Sequence, residues 1–261
     1  MKKFKNKTLV GLTIILCSCF TACLDDNEPL AIYPTLGTVS ATDPITIESD
    51  SYGCILPKNP SIVTSHGADS VGQRVLTNLF FDSNPVPQQE GTLSADILDI
   101  YKILTKPAED LRKPDAPDAD SFGNSPIQPT SISLSKEHLN IQFNMLGGNV
   151  TIPHRISLLL AADTHLDENG MVPVILRHDA NGDAQVTNYW GVVSFTLSSI
   201  PEYSDTACKG VKLYYNSGAN LNASFVIKKE TSKSNEFTFR RMMEASQEIG
   251  NEHTLLTGQL Q

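Results

Sequence analysis

Six histidines, His66, His138, His154, His165, His178 and His253, are the side chains of this 261-residue chain best suited to moving protons or holding a metal near neutral pH. His154 and His178 share strand faces with Ile152, Ile156, Val174 and Leu176, so two imidazoles are expected to point into one core. Such a pair either hydrogen-bonds within the fold or supplies half of a metal site. The bonded pair is the reading adopted, and no metal or cofactor is assigned. Asp179, Asn181 and Asp183 offer oxygens at alternating positions, as the start of a calcium loop does. The match then fails, because Ala184 stands where glycine is needed and Trp190 where a bidentate glutamate belongs, and a turn is expected instead. No HExxH, phosphate-binding loop, Gly-x-Ser-x-Gly elbow or paired CxxC occurs. No catalytic residue is therefore assigned, and the chain is read as a binding protein and not an enzyme. Trp190, the sole tryptophan, is the candidate contact for a protein or glycan partner. The alternative is that it packs under a loop or against a neighbouring module.

The cysteines carry a different chemistry. Lys2, Lys3, Lys5 and Lys7 precede an apolar run from Leu9 to Leu16, the pattern of a signal peptide. The 16 residues from Thr8 to Cys23 are too few to span a bilayer, which takes about 20. Phe20-Thr21-Ala22-Cys23 resembles the lipobox of bacterial lipoproteins, in which the cysteine sulfur is acylated and becomes the new N-terminus. Leucine is usual where Phe20 stands, and Leu16-Cys17-Ser18-Cys19 is a competing site. Cys23 is preferred because it leaves a full apolar stretch before it and the acidic cluster Asp25, Asp26 and Glu28 after it. Several acyl chains anchor a protein stably where one holds only marginally, each buried methylene contributing about 0.8 kcal/mol. Cys54 and Cys208 then remain as two thiols with no disulfide framework around them.

Charge narrows the partners. Without the leader's four lysines the mature chain has 16 basic and 29 acidic residues, a net charge of −13. A nucleic-acid partner is disfavoured electrostatically, and none is assigned. The acidic cluster after Cys23 resembles signals that direct some lipoproteins to the outer face of the outer membrane; as an alternative it is a plain solvated tether. The expected location is the outer membrane with the body at the cell surface, the alternative being a body facing the periplasm.

The elements that would position these residues are strands. Charged residues are only 19% of the chain, and Ser, Thr and Asn fill 62 positions, a balance that suits a strand-rich envelope protein. Ile32–Val39, Ile45–Ile47, Tyr52–Leu56 and Arg74–Phe81 read as short strands, with Asp50-Ser51 as a turn. Leu93–Leu104 fits helix and strand equally. Five prolines between Lys106 and Thr130 exclude a central strand or long helix there. Beyond them Leu139, Ile141, Phe143 and Met145 alternate with Asn140, Gln142 and Asn144, a half-buried strand with its polar side outward. Similar runs follow to Ile227, with Gly147-Gly148, Asn169-Gly170 and Asn181-Gly182 as turn signals. The organisation expected is a signal peptide (1–22), an acidic tether (23–29), a small β domain (30–112), a Pro-rich linker (113–129), an antiparallel β-sandwich (130–229) and a short helical or disordered tail (230–261).

Several stretches in order resemble the NigD-like lipoprotein family: Asp50-Ser51-Tyr52-Gly53-Cys54-Ile55-Leu56-Pro57, Asp120-Ser121-Phe122-Gly123-Asn124-Ser125-Pro126-Ile127, Leu176-Arg177-His178-Asp179-Ala180-Asn181-Gly182-Asp183 and Trp190-Gly191-Val192-Val193-Ser194-Phe195. The resemblance implies an N-terminal OB-like small barrel followed by a C-terminal β-sandwich behind a lipoprotein signal. It also implies a bacteriocin-immunity type of role, and supplies no catalytic residues. A structural or assembly subunit of an outer-membrane complex, or a glycan-binding one, is the alternative function.

Overall fold

The computed structural model describes residues 31–85, 91–149, 151–229, 254–255 and 260–261. The leader, Cys23 and the acidic tether lie outside them. The first five strands, β1 (Tyr33–Thr42), β2 (Ile45–Ser49), β3 (Gly53–Pro57), β4 (Arg74–Phe80) and β5 (Thr92–Lys102), close into a barrel of order β1-β2-β3-β5-β4. A one-turn helix, α1 (Ser61–Ser65), sits between β3 and β4. Pairing is antiparallel except between β3 and β5. This is the OB-like arrangement of a small closed barrel, which leaves no free sheet edge. Val39, Ile47, Ile55, Val75, Leu79, Ala95, Ile97 and Ile100 fill it.

The ambiguous stretch Leu93–Leu104 is mostly β5, and a bulge explains why it mimics a helix. Asn78 pairs with Asp99 while the next residue, Leu79, pairs with Ile97, so Leu98 is an extra residue on β5. The inward positions therefore run Ala95, Ile97, Ile100, with one step of three. A step of three between buried residues is the helical signal.

The next strands are β6 (Leu104–Pro107), β7 (Glu109–Asp110), β8 (Gln128–Leu134), β9 (His138–Gly147), β10 (Arg155–Leu160), β11 (Met171–Asp179), β12 (Thr187–Thr196), β13 (Gly210–Tyr215), β14 (Ala223–Lys228) and β15 (Thr254–Leu255). They form two facing sheets, β14-β13-β11-β10-β7 and β15-β12-β9-β8, with β6 also on β12. The core between them is built from alternate residues of both sheets, among them Leu139, Ile141, Phe143, Ile156, Leu158, Val172, Val174, Phe195, Val211 and Leu213.

Three features depart from the sequence reading. The sandwich is mixed: β11 with β13, β7 with β10, and β12 with both β6 and β15 are parallel pairs. Strands β6 and β7 precede most of the proline-rich segment yet complete the sandwich sheets. The tail expected from residue 230 lies largely outside the described residues, but its described parts belong to the sandwich. Thr254–Leu255 pairs along Tyr189–Trp190, Leu260 is buried in the core, and Gln261 exchanges main-chain hydrogen bonds with His154 and Ile156.

Candidate functional site

The proline-rich segment is pinned across one end of the sandwich and helps to position the histidines. Phe122 is buried at the end of a 3₁₀ turn (Ala119–Phe122), and the Arg155 guanidinium lies 5.3 Å from its ring centroid. Gly123 then adopts φ 73° in a place where a Cβ would come within 2.6 Å of the Asp179 Cβ, so only glycine fits. Ser125 N–H donates to His178 O, and Ile127 N–H to Asn216 O, which ties the segment to β11 and the end of β13.

His178, on β11, and His154, just before β10, both point inward and are buried, as their strand faces require. Their rings stack with centroids 5.0 Å apart, and His154 Nδ1 lies 2.8 Å from His178 Nε2. On the far sides His178 Nδ1 meets Pro126 O at 2.9 Å and His154 Nε2 meets Asp183 Oδ2 at 3.1 Å. A carbonyl and a carboxylate only accept, so each outer nitrogen must carry a proton, and the bond between the rings needs one more. Burial pushes His178 down to about 4, so it is neutral at pH 7. Main-chain N–H donation from Gly148, helped by His154, Asn149 and Ala184, holds Asp183 down at about 2, so it is ionised.

The His-His-Asp chain is thus a closed relay that ties β10, β11, the 147–149 turn and Pro126 together. Its nitrogens are spent on one another and on protein oxygens. Among the described residues no group of three or more His, Cys, Asp or Glu side chains could hold a metal ion. The calcium-like residues diverge: Asp179 takes Asn181 N–H and Arg155, whereas Asp183 turns inward. Asn181 and Gly182 do adopt positive φ, 50° and 75°, as an Asn-Gly turn should. They join β11 to β12, however, which lies in the opposite sheet.

A second polar centre joins the barrel to the sandwich. Arg74, the first residue of β4, is only 1% exposed. Its Nη1 donates to Asp50 Oδ1 at 2.8 Å and Thr38 Oγ1 at 3.2 Å, its Nη2 to Asp50 Oδ2 and to Asn140 Oδ1 at 2.8 Å, and its Nε to Ser194 Oγ at 3.4 Å. All five guanidinium donors are satisfied. Asn140 also donates to Asp50 and Ser133 and accepts from Ser194. Asn140, read as facing solvent, does face away from the sandwich core, yet it is 2% exposed because the barrel covers it. Trp190 lies on this same covered face. It is half-buried and packs against the apolar cluster of Leu36, Leu76, Ile103 and Val192, two of them from the barrel. Cys54 in the barrel and Cys208 in the sandwich are both free thiols.

Neither Arg74 nor Asp50 stood out in the sequence, and the only signals they give are a single arginine opening an apolar strand and an acid read as a turn former. Asp183 was visible only as part of the calcium-like triplet.

A family model, the NigD-like C-terminal beta sandwich domain, matches residues 110–229. Over these residues the chain is similar to that β-sandwich domain. The match holds the His-His-Asp relay and both sandwich members of the Arg74 centre, Asn140 and Ser194. Solved structures resemble the chain in fold over more than this segment. A NigD-like immunity protein from Bacteroides caccae aligns at 21% identity and a TM-score of 0.51, covering 77% of this chain and 93% of the other. A DUF1344 protein of unknown function from Bacteroides vulgatus aligns at 19% identity and a TM-score of 0.60, covering 78% and 94%. A Bacteroides fragilis protein described as a lipoprotein aligns at 12% identity and a TM-score of 0.57, covering 78% and 100%. At these identities the likeness is one of fold. No curated protein matches the chain.

Proposed function

We propose that this chain is a lipid-anchored envelope protein that works by recognition, without catalysis, in the manner of a bacteriocin-immunity protein at the cell surface. The observation that carries the reading is the NigD-like sandwich, in a two-module fold shared with a NigD-like immunity protein and with a protein described as a lipoprotein. The chemistry of the fold is consistent with it. Both buried polar centres spend their donors and acceptors on holding segments together, the relay on Pro126 and the 147–149 turn, Arg74 on the barrel–sandwich junction. Cys23 is the acylated residue, and the partner is an exogenous protein; nucleic acid is not one.

The test uses cells making the natural protein, a Cys23→Ser variant, or neither. Membrane fractionation should release the variant and retain the natural form. Protease added to intact cells should digest the natural form, and loss of the gene should raise sensitivity to at least one bacteriocin in a panel. Retention of the variant in membranes counts against the anchor, protection until the cells are opened against the surface location, and unchanged killing curves across the panel against the immunity role.

A further inference from the structure

The outer face of β13 and β14 carries a charge opposite to that of the whole protein. The chain carries a formal charge of −9, yet Thr206 through Lys229 hold four lysines and no acid. In the fold this stretch is the β13–β14 hairpin with its flanks. Val211, Leu213 and Ile227 point into the core. The intervening positions Lys212, Tyr214, Ser224, Val226 and Lys228 therefore look outward, with Lys212 opposite Val226 and Tyr214 opposite Ser224. Lys212 lies 5.0 Å from the Tyr214 ring centroid, and Asp167 is near enough to attract it.

Three large apolar side chains are exposed on the same hairpin: Leu221 at 64%, Val226 at 48% and Phe225 at 42%. Phe225 sits on the inner side of β14, opposite Leu213, and Val226 on the outer side. Apolar surface is thus offered on both sides of one strand. That strand ends its sheet, and among the described residues it pairs only with β13. An edge with apolar flanks on both sides is what a strand-adding ligand uses, since its main chain continues the ladder and its alternating side chains reach both faces.

We infer that the β13–β14 hairpin is a recognition surface for an extended, acidic segment of a partner protein, which adds to the sheet along β14. A protein strand is favoured over an anionic lipid surface by the edge itself. Lipid phosphates can accept from its N–H groups but cannot donate to its C=O groups, whereas another backbone does both. Acidic side chains on the added strand would meet Lys212 and Lys228 on the outer face, and apolar ones Val226 or Phe225. This inference rests on the recognition reading and names the surface and partner chemistry for it.

The test uses the mature chain with Cys23→Ser and three fluorescent heptapeptides: alternating glutamate and valine, alternating lysine and valine, and the glutamate peptide N-methylated at alternate amides. Fluorescence anisotropy should show the glutamate peptide binding at least tenfold more tightly than the lysine peptide and the N-methylated one. The double variant Lys212→Glu/Lys228→Glu should reverse the preference between the two charge forms. Equal binding of both charge forms, full binding of the N-methylated peptide, no binding at all, or an unmoved preference in the double variant would each overturn the surface. The killing assay separates this failure from failure of the function. Protection by the double variant equal to that of the natural protein overturns the surface and leaves immunity standing. Loss of protection in the double variant alone supports the surface.

Discussion

The two outer faces of the sandwich start from the same sequence pattern and end in opposite states. At the centre of β9 and β12 the outward side chains Asn140, Gln142, Ser194 and Val192 are buried. On β13 and β14 they are Lys212, Tyr214, Ser224, Val226 and Lys228, half-buried or exposed. Alternation alone would make both faces solvent-facing. The difference lies with Arg74 and Asp50 in the barrel, which bring charge-assisted hydrogen bonds to Asn140 and Ser194, and with Leu36 and Leu76, which bring apolar surface to Val192 and Trp190. A face is closed when a distant element carries matching groups. Lysines at Lys212 and Lys228 find no such match among the described residues of the barrel, and the hydrophobic effect has nothing there to bury them against.

Breaking the closed face should have the largest effect. Arg74→Leu leaves Asp50, whose side chain is 21% exposed, and the buried Asn140 and Ser194 without their guanidinium, and should cost about 3–4 kcal/mol, the lower part of the range for breaking a buried pair. Denaturant unfolding of the mature chain should show that loss, and a change below about 1 kcal/mol would mean the centre does not hold the modules together.

Acid should weaken the far end of the sandwich by a comparable but smaller amount. His178 is pushed down to about 4 in the fold from an ordinary 6.5, so the unfolded chain binds more protons between those values. Its contribution is fully present above pH 6.5 and is lost as pH falls towards 4, about 3 kcal/mol in all. Asp183, held at about 2, adds a further loss below about pH 4 of the same sign. His178→Phe should flatten the upper part of the curve; a stability profile that is flat from pH 7 to 4 in the natural protein would contradict the relay.

A third change strains the segment that pins the relay. Gly123→Ala puts a methyl group 2.6 Å from Asp179 Cβ at a φ of 73°, and should cost more than about 1 kcal/mol in chemical unfolding. The smallest effect sharpens the comparison from the open side. Lys212→Glu/Lys228→Glu changes groups with no buried partner, so stability should stay within about 0.5 kcal/mol while ligand preference inverts.

Much of this architecture was legible because strand period and turn residues are local signals. The run Leu139 to Met145 announces its inward face, and Asn181-Gly182 announces its positive φ. What the pattern could not convey is the partner of each element. Asn140 is polar in an outward position, and only the fold reveals that residue 74 arrives to bury it. Asn181-Gly182 reads as a hairpin, but the chain continues into the opposite sheet, and Asp183 accepts from the Gly148 and Asn149 amides, which no local pattern conveys. His154 and His178 could be placed on one face from spacing, since both lie on regular strand phase. That they bond to each other depends on β10 pairing with β11 in one register, Ile156 opposite His178. The bulge at Leu98 shows the reverse failure, a local irregularity that imitates another period.

Amide hydrogen exchange on the mature chain tests the contrast between the two faces most directly. Strands β9 and β12, between the barrel and the sandwich core, should exchange at the rate of global unfolding, while β14 exchanges much faster and slows when the glutamate–valine peptide is added. Exchange at β14 as slow as at β9 in the free protein would contradict it, because that edge would then already be closed.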